Sequence, residues 1–309
     1  MRNTSSRGVL PSQDKILSDT LRDEVFSPAS STSSRRTRII KNKRYTGIQP
    51  QYFPRLHYFA RILNTDIFMI RDDAQYVRKH KYPDGKVDKS YQAHTPIKQS
   101  FGRQLLAVPT KHVGFSPLTK THVSYDHNWP EVHLKTIRIA YGRSRNFVEL
   151  HSEISNILNR KHKNIVELNL TTIFWGILRI LGEQDISEDK LTIKFVNEKL
   201  KDHPEFRLTS IQLASEVNVI KDNHTPNEKI VALCKSVGAN EDYCGGTGAA
   251  AYMDEGVFKK HGIKITIQDW NCRKYSQLFE KQQDFIPNLS MIDLLMNVSL
   301  QKAQEIIKG

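Results

Sequence analysis

The sequence predicts an α/β fold: an N-terminal βαβ core, a helical middle and a mixed α/β C-terminal part, preceded by a disordered tail. Three observations carry that expectation. Residues 45–73 alternate a strand-like run, an amphipathic helical run and a second strand-like run within about 30 residues, the length of a βαβ unit. Residues 129–182 keep helical spacing almost without a break. Residues 1–44 are Ser-rich and basic and offer no periodic apolar face to bury.

The tail comes first. It holds ten Lys or Arg against four Asp or Glu, a net +6 of the +13 carried by all 309 residues. "SPASSTSSRRTRIIKNKR" reads as a solvating extension or as a tether to RNA or another anionic surface. The remaining +7 is spread over residues 45–309, read as one α/β domain, and suits an anionic substrate such as a nucleotide sugar or a tRNA. With 38% apolar and 26% charged residues the chain is typical of water-soluble domains. Its longest apolar stretch, "LTTIFWGILRILG", is broken by Arg179 and falls short of the roughly 20 residues of a membrane span. The N-terminus has no apolar signal core and carries acids at 14, 19, 23 and 24, so a cytoplasmic location is expected. Cys234, Cys244 and Cys272 form no C-x-x-C or disulfide pattern, in keeping with a reducing compartment.

After the tail, "YTGIQP" reads as a strand stopped by Pro50, which has no N–H for a ladder. "PRLHYFARILN" places Leu56, Phe59, Ala60 and Leu63 on one helical face, with Pro54 suited to the first helical position. "DIFMIRDD" is a buried strand by its β-branched and aromatic content. These three make a Rossmann-like βαβ unit, and its ligands are expected at the carboxyl ends of the strands, where Gln49, Pro50, Asp72 and Asp73 stand. Residues 77–100 are polar and read as a surface loop turning at Pro83-Asp84-Gly85. "RQLLAVPT" is a third strand leaving at Pro109. Helices follow at "WPEVHLKTIRIAYG", "NFVELHSEISNILN" and "NIVELNLTTIFWGILRILG", then a strand near 207–214. "TPNEKIVALCKSVG" carries a capping signature, Thr225 with Glu228, Pro226 just inside and Gly238 just past the end. The glycine-rich "DYCGGTGAAAYMDEG" precedes the strand "IKITIQDW", and helices opened by Ser290 and Ser299 close the chain.

Several of these residues have chemistry to offer. Adjacent residues of an extended chain point to opposite faces, so only one of Asp72 and Asp73 aims into a given site, as a general base or a cation ligand; the competing reading is a solvated strand end or an Asx turn. Gly245, Gly246 and Gly248 let backbone approach a phosphate, but the segment is neither G-x-G-x-x-G nor a Walker A motif and equally fits a plain turn. Tyr52 and Phe53, in the loop between strand and helix, can stack on a base or sugar, or join the core. The twelve histidines never form H-E-x-x-H, so no metal site is expected, and no motif specifies a cofactor. Cys244 has no base partner that would make it a nucleophile.

Taken together, "IQPQYFPRLHYFARILNTDIFMIRDDAQY", "LLAVPT", "IRIAYGRSRNF", "LASE", "VGANEDYCGGTGAAAYMD" and "FIPNLSMIDLLMN" resemble the WbqC-like family, in the family's order, from about Tyr45 to the end. Gln49, Pro50, Tyr52, Phe53 and Pro54 look like its Q-P-x-Y-F-P block, and Asp72, Asp73 and Gln75 like its D-D-x-Q block. Gly245, Gly248 and Tyr252 look like its glycine-rich segment, and Pro287, Ser290 and Asp293 like its P-x-x-S-x-x-D ending. The chain departs from the pattern by about a dozen polar residues inserted after Tyr76, and by "YQAHTPIK" where a basic Asn-Arg segment is usual.

The resemblance implies an enzyme of surface-glycan assembly. It would be a transferase moving an acyl or aminoacyl group to the amine of a nucleotide-linked amino sugar, with tRNA as a conceivable acyl donor. Asp72 or Asp73 would be catalytic, and Gln49, Pro50, Tyr52, Phe53, Gln75, Gly245, Gly246, Gly248 and Tyr252 would bind substrate. The alternative is a non-catalytic RNA-binding or tethering protein that uses the basic tail and exposed aromatics.

Overall fold

The alternation at residues 45–73 folds as the pattern requires. Strand β1 (Arg44–Ile48), helix α1 (Leu56–Leu63) and strand β2 (Ile67–Ile70) form a βαβ unit with β1 and β2 paired in parallel, Tyr45 opposite Ile67. The computed structural model describes residues 42–81, 87–111, 114 and 116–309, so the expected disorder of the tail, apart from its last three residues, lies outside the described residues, as does the turn at 83–85. Beyond β2 come β3 (Lys79–Lys81), β4 (Val87–Lys89), β5 (His94–Gln99), β6 (Gly102–Ala107), β7 (Thr110–Lys111) and β8 (His122–Val123). Helices α2 (Trp129–Tyr141), α3 (Phe147–Asn159), α4 (Ile165–Leu181) and α5 (Ile193–Lys199) make the helical middle. The C-terminal part holds β9 (Ser210–Leu213), α6 (Pro226–Ser236), β10 (Glu241–Cys244), α7 (Gly246–Tyr252), α8 (Glu255–Lys260), β11 (Lys264–Ile267), α9 (Met291–Asn297) and α10 (Leu300–Lys308).

One sheet organises the molecule. Its order is β11-β10-β1-β2-β9 and every pairing is parallel. From β1 the chain builds outward on one side through β2 and β9, then crosses to the other side of β1 for β10 and β11. The reversal falls between β1 and β10, and in open parallel sheets the crevice outside such a switch point is where ligands bind.

The two faces carry separate cores. On one, Phe68 and Ile70 pack with α1 and the helical layer; on the other, Tyr45, Ile67 and Met69 pack with Val231, Leu233 and Cys234 of α6 and Phe258 of α8. Helix α4 is buried on all sides, as a helix that is apolar all round should be. It meets α1 closely at Gly176, where a Cβ would stand 2.5 Å from the Phe59 ring. The capping expectations hold: Thr225 and Glu228 form a capping box, and Ser290 and Ser299 cap α9 and α10.

Two expectations are corrected. Pro54 does not open α1, which starts at Leu56; its carbonyl accepts from the Met291 N–H while Arg55, extended, bridges to Ser290. The segment 77–100 is not merely a surface loop, for β5 pairs antiparallel with β6 and all six of its residues are buried. Its polar side chains find internal partners at several points: Thr95 donates to the Phe53 carbonyl (2.6 Å), Lys98 Nζ to the Gln283 carbonyl (3.1 Å), and His94 Nδ1 meets the Ser90 carbonyl (2.6 Å). Polar composition therefore conceals a buried strand whenever partners are at hand.

Candidate functional site

Because all five strands run the same way, the residues following them gather along one edge. These are Gln49 and Pro50 after β1, Arg71, Asp72 and Asp73 after β2, Ser215 near the end of β9, Gly245 after β10 and Gln268 after β11. The neighbouring carboxylates diverge. Asp72 is buried (4% exposed) and accepts from both the Ser215 N–H (3.0 Å) and its hydroxyl (2.5 Å), which ties β2 to the end of β9. Asp73 stays partly open and accepts the two-pronged guanidinium of Arg71, at 2.7 and 2.9 Å. Of the pair, Asp73 is the more exposed, and Arg71 fixes its direction.

Gln49 is held from its side-chain oxygen, which accepts from Gln92 Nε2 at 2.6 Å. The same Gln92 amide donates to the Gln75 carbonyl (3.1 Å) and its oxygen accepts from the Val77 N–H (2.7 Å), so one side chain joins the ends of both family blocks. Asn169 of α4 completes the frame by donating to the carbonyls of Pro50 (3.0 Å) and Gln92 (2.8 Å). The Gln75 side chain itself is exposed.

Tyr52 and Phe53 lie elsewhere: both are buried in the aromatic core and present no ring face to solvent. The Tyr52 hydroxyl meets His133 Nδ1 at 3.0 Å, and burial pushes that imidazole down to about 4, so it stands neutral. Phe53 has a positive φ of 37° and is pinned through its backbone, its N–H on Thr172 and its carbonyl accepting from Thr95 and Ser290. Asp293, from the same C-terminal block as Ser290, is fully buried and accepts from Tyr141, Tyr275 and Gln277. The family blocks thus meet in space, two of them as structural clamps behind the strand ends.

Across the switch point, Gly245 meets a close approach from within: a Cβ there would stand 2.6 Å from Arg61 Nη2, so the guanidinium would have to move. Arg61 also donates from Nε to Gln268 (2.8 Å), and Gln268 donates to the His57 carbonyl. Gly246 is exposed and opens α7, Gly248 lies within it, and Tyr252 ends it. In the central strand Gly47 is exposed, and Tyr45 lays its ring against it, so that any side chain at 47 would strike the phenol. The Tyr45 hydroxyl is buried without a hydrogen-bond partner among the described residues.

Beside Tyr45 in the ladder is Asp242 of β10, 3% exposed. Burial drives its carboxyl up to about 7, against the pull of Arg61 and Arg71. The sequence reading missed β10 and with it Asp242, because two adjacent acids argue against a buried strand. Their fates explain how it forms: Glu241 pairs with Arg44 (2.9 Å) and Asn42 (2.6 Å), whereas Asp242 keeps its proton into the neutral range. Burial likewise pushes the Cys244 thiol up to about 12, so it is no thiolate at neutral pH. Among the described residues no group of three or more His, Cys, Asp or Glu is placed to hold a metal ion. Gln92, Asn169, Ser215, Arg61 and Arg71 also escaped the sequence reading; only Asn169, a lone amide in an apolar helical run, left a signal there.

The match to known families covers residues 49–305, from Gln49 of the first block to the last helix, with the WbqC-like protein family. The chain belongs to that family. This WbqC-like protein is also 26% identical over 262 residues to the uncharacterized protein Rv1507c of Mycobacterium tuberculosis, an alignment covering 84% of this chain and 95% of that protein. No solved structure is significantly similar to it. No helix among its described residues is long and apolar enough to cross a membrane.

Proposed function

We propose that this WbqC-like protein is a transferase that moves an acyl or aminoacyl group to the amine of a nucleotide-linked amino sugar, in surface-glycan biosynthesis. The observation that carries the reading is Asp73: a carboxylate at a strand end, beside the switch point of a parallel sheet, partly open yet held in one orientation by Arg71. A group so placed can accept the proton of an attacking amine. The nitrogen attacks the acyl carbonyl, the new C–N bond forms as the bond to the donor's leaving group breaks, and the proton passes through Asp73 to that leaving group. An aminoacyl-tRNA is one donor of suitable chemistry. Gln49 and Gln75, linked through Gln92, frame the sugar on one flank, and the open backbone at Gly246 frames it on the other. Tyr52, Phe53 and Pro50 act from beneath, by fixing the loop that carries Gln49.

Thermal-shift measurements with UDP-linked sugars test this. A UDP-sugar with a free amine should raise Tm by several degrees, its N-acetylated counterpart should do less, and Asp73→Asn should lose the difference. Equal responses to amine and amide, or an unaltered response in the variant, would overturn it. The alternative of an RNA-binding or tethering protein uses the basic tail, nearly all of which lies outside the described residues, and exposed aromatics, which Tyr52 and Phe53 are not.

A further inference from the structure

Beyond the D-D-x-Q block the chain turns away from the sheet and builds a second feature. Residues 74–77 run antiparallel to 116–118, with the Tyr76 N–H donating to the Ser116 carbonyl and the Leu118 N–H to the Ala74 carbonyl, both at 2.9 Å, and a bridge between Gln75 and Pro117. Against this wall stands the small ribbon of β7 and β8, with Lys111 opposite His122. The two flank an open hollow of about 800 Å³.

Its lining is strongly one-sided in charge. Arg78, Lys111, Lys120 and His122 line it, together with the hydroxyl pair of Thr110 and Tyr76, in which Thr110 donates at 3.0 Å. Lys111 is paired with Asp126 at 2.6 Å, but both side chains are about 60% exposed, so that pair is weak and exchangeable. Among the described residues neither Arg78 nor Lys120 forms an ion pair and no acidic side chain lines the hollow. His122 has Nδ1 directed at the Lys163 carbonyl (3.2 Å). Two cations with no ion pair among the described residues, a third in a weak pair, and the hydroxyl-bearing Tyr76, Thr110 and Ser116 around one concavity make a lining matched to phosphate oxygens.

We propose that this hollow is the anion subsite of the protein and takes the phosphate or diphosphate of a small ligand, with Arg78 and Lys120 as its main partners. Gln92 connects it to the strand ends, since that side chain grips Gln49 and the Val77 N–H between two lining residues, Tyr76 and Arg78. The subsite deepens the reading of a nucleotide-linked substrate, resting on it only for what is attached to the phosphates.

Calorimetric titration of the full chain with inorganic pyrophosphate, UDP and a ten-nucleotide RNA tests it. Pyrophosphate and UDP should bind, the double variant Arg78→Ala with Lys120→Ala should weaken both at least tenfold, and Lys190→Ala, far along the chain, should stay within twofold of the parent. Tm of the double variant should match the parent, because Arg78 and Lys120 are exposed. Asp73→Asn should leave pyrophosphate binding intact, so that loss of the amine response with retention of the anion response separates the two proposals. No binding of pyrophosphate or UDP at millimolar concentration, or equal binding by the double variant, would overturn the subsite. Binding of the RNA a hundredfold tighter than UDP, lost in the double variant, would overturn it in favour of a nucleic-acid surface.

Discussion

At the scale of single residues, the two carboxylates that look alike in sequence should behave oppositely. Asp73 lies in a partly exposed pair with Arg71, and such pairs contribute about 0–1 kcal/mol, so Asp73→Asn should fold and melt like the parent while losing the ligand response. Asp72 satisfies a backbone N–H and a hydroxyl of Ser215 in a buried setting, and Asp72→Asn should cost about 1–3 kcal/mol in urea unfolding. Equal stability of the two variants would contradict this division. The glycines separate in the same way. Gly246 has a negative φ, and a Cβ there meets only Ile267 at 3.4 Å, so Gly246→Ala should raise stability by roughly 0.4–1 kcal/mol through the unfolded chain. Gly245→Ala should instead displace Arg61 from Gln268 and lower Tm. The sequence identified all four residues as candidates, but it could not tell which were closed off, because Asp72 is covered by Ser215, 143 positions later, and Gly245 by Arg61, far earlier in the chain.

At the scale of elements, β10 carries the clearest pH dependence. The Asp242 carboxyl titrates near 7 in the native protein against 3.8 ordinarily. Below about 3.8 both native and unfolded chains hold the proton and pH has no leverage. Between the two values only the native chain holds it, so rising pH favours unfolding, and above 7 the accumulated cost is on the order of 4 kcal/mol. Asp242→Asn should therefore exceed the parent in Tm at pH 8 and lose that advantage at pH 4; an advantage of equal size at both pH values would show that ionisation is not the cause. The packing of α1 on α4 gives a second element-level expectation. Gly176→Ala overfills the contact with Phe59, and overpacking of this kind costs typically about 1–3 kcal/mol, measurable as a lower midpoint in urea. Periodicity and capping signals located α1, α4, α6, α9 and α10 because each helix declares its own buried stripe and ends. β5 and β10 were illegible because their polar side chains are paid for by remote partners, Phe53 and Gln283 for one and Arg44 and Asn42 for the other.

At the scale of the whole molecule, the sequence showed an α/β chain with a βαβ start but not the order of its sheet, since a parallel strand carries no mark of which neighbour it will find. The tail offers one test at this scale. Residues 1–38 present no apolar period, and their deletion should leave Tm within about a degree of the full chain; a fall of several degrees would show that they dock.

The position of β10 beside β1 also has a temporal consequence. Thr46 bonds to the carbonyl of Tyr243, 197 residues later, so the crevice cannot close until nearly four-fifths of the chain exists. A nascent chain emerging from the ribosome can pair β1 with β2 early, yet it leaves the other edge of β1 unpaired until β10 arrives. Such long-range closure slows folding and exposes an adhesive strand edge in the meantime. Release of synthesis-arrested chains of increasing length should accordingly show protease resistance of the sheet appearing only once residue 267 has cleared the exit tunnel.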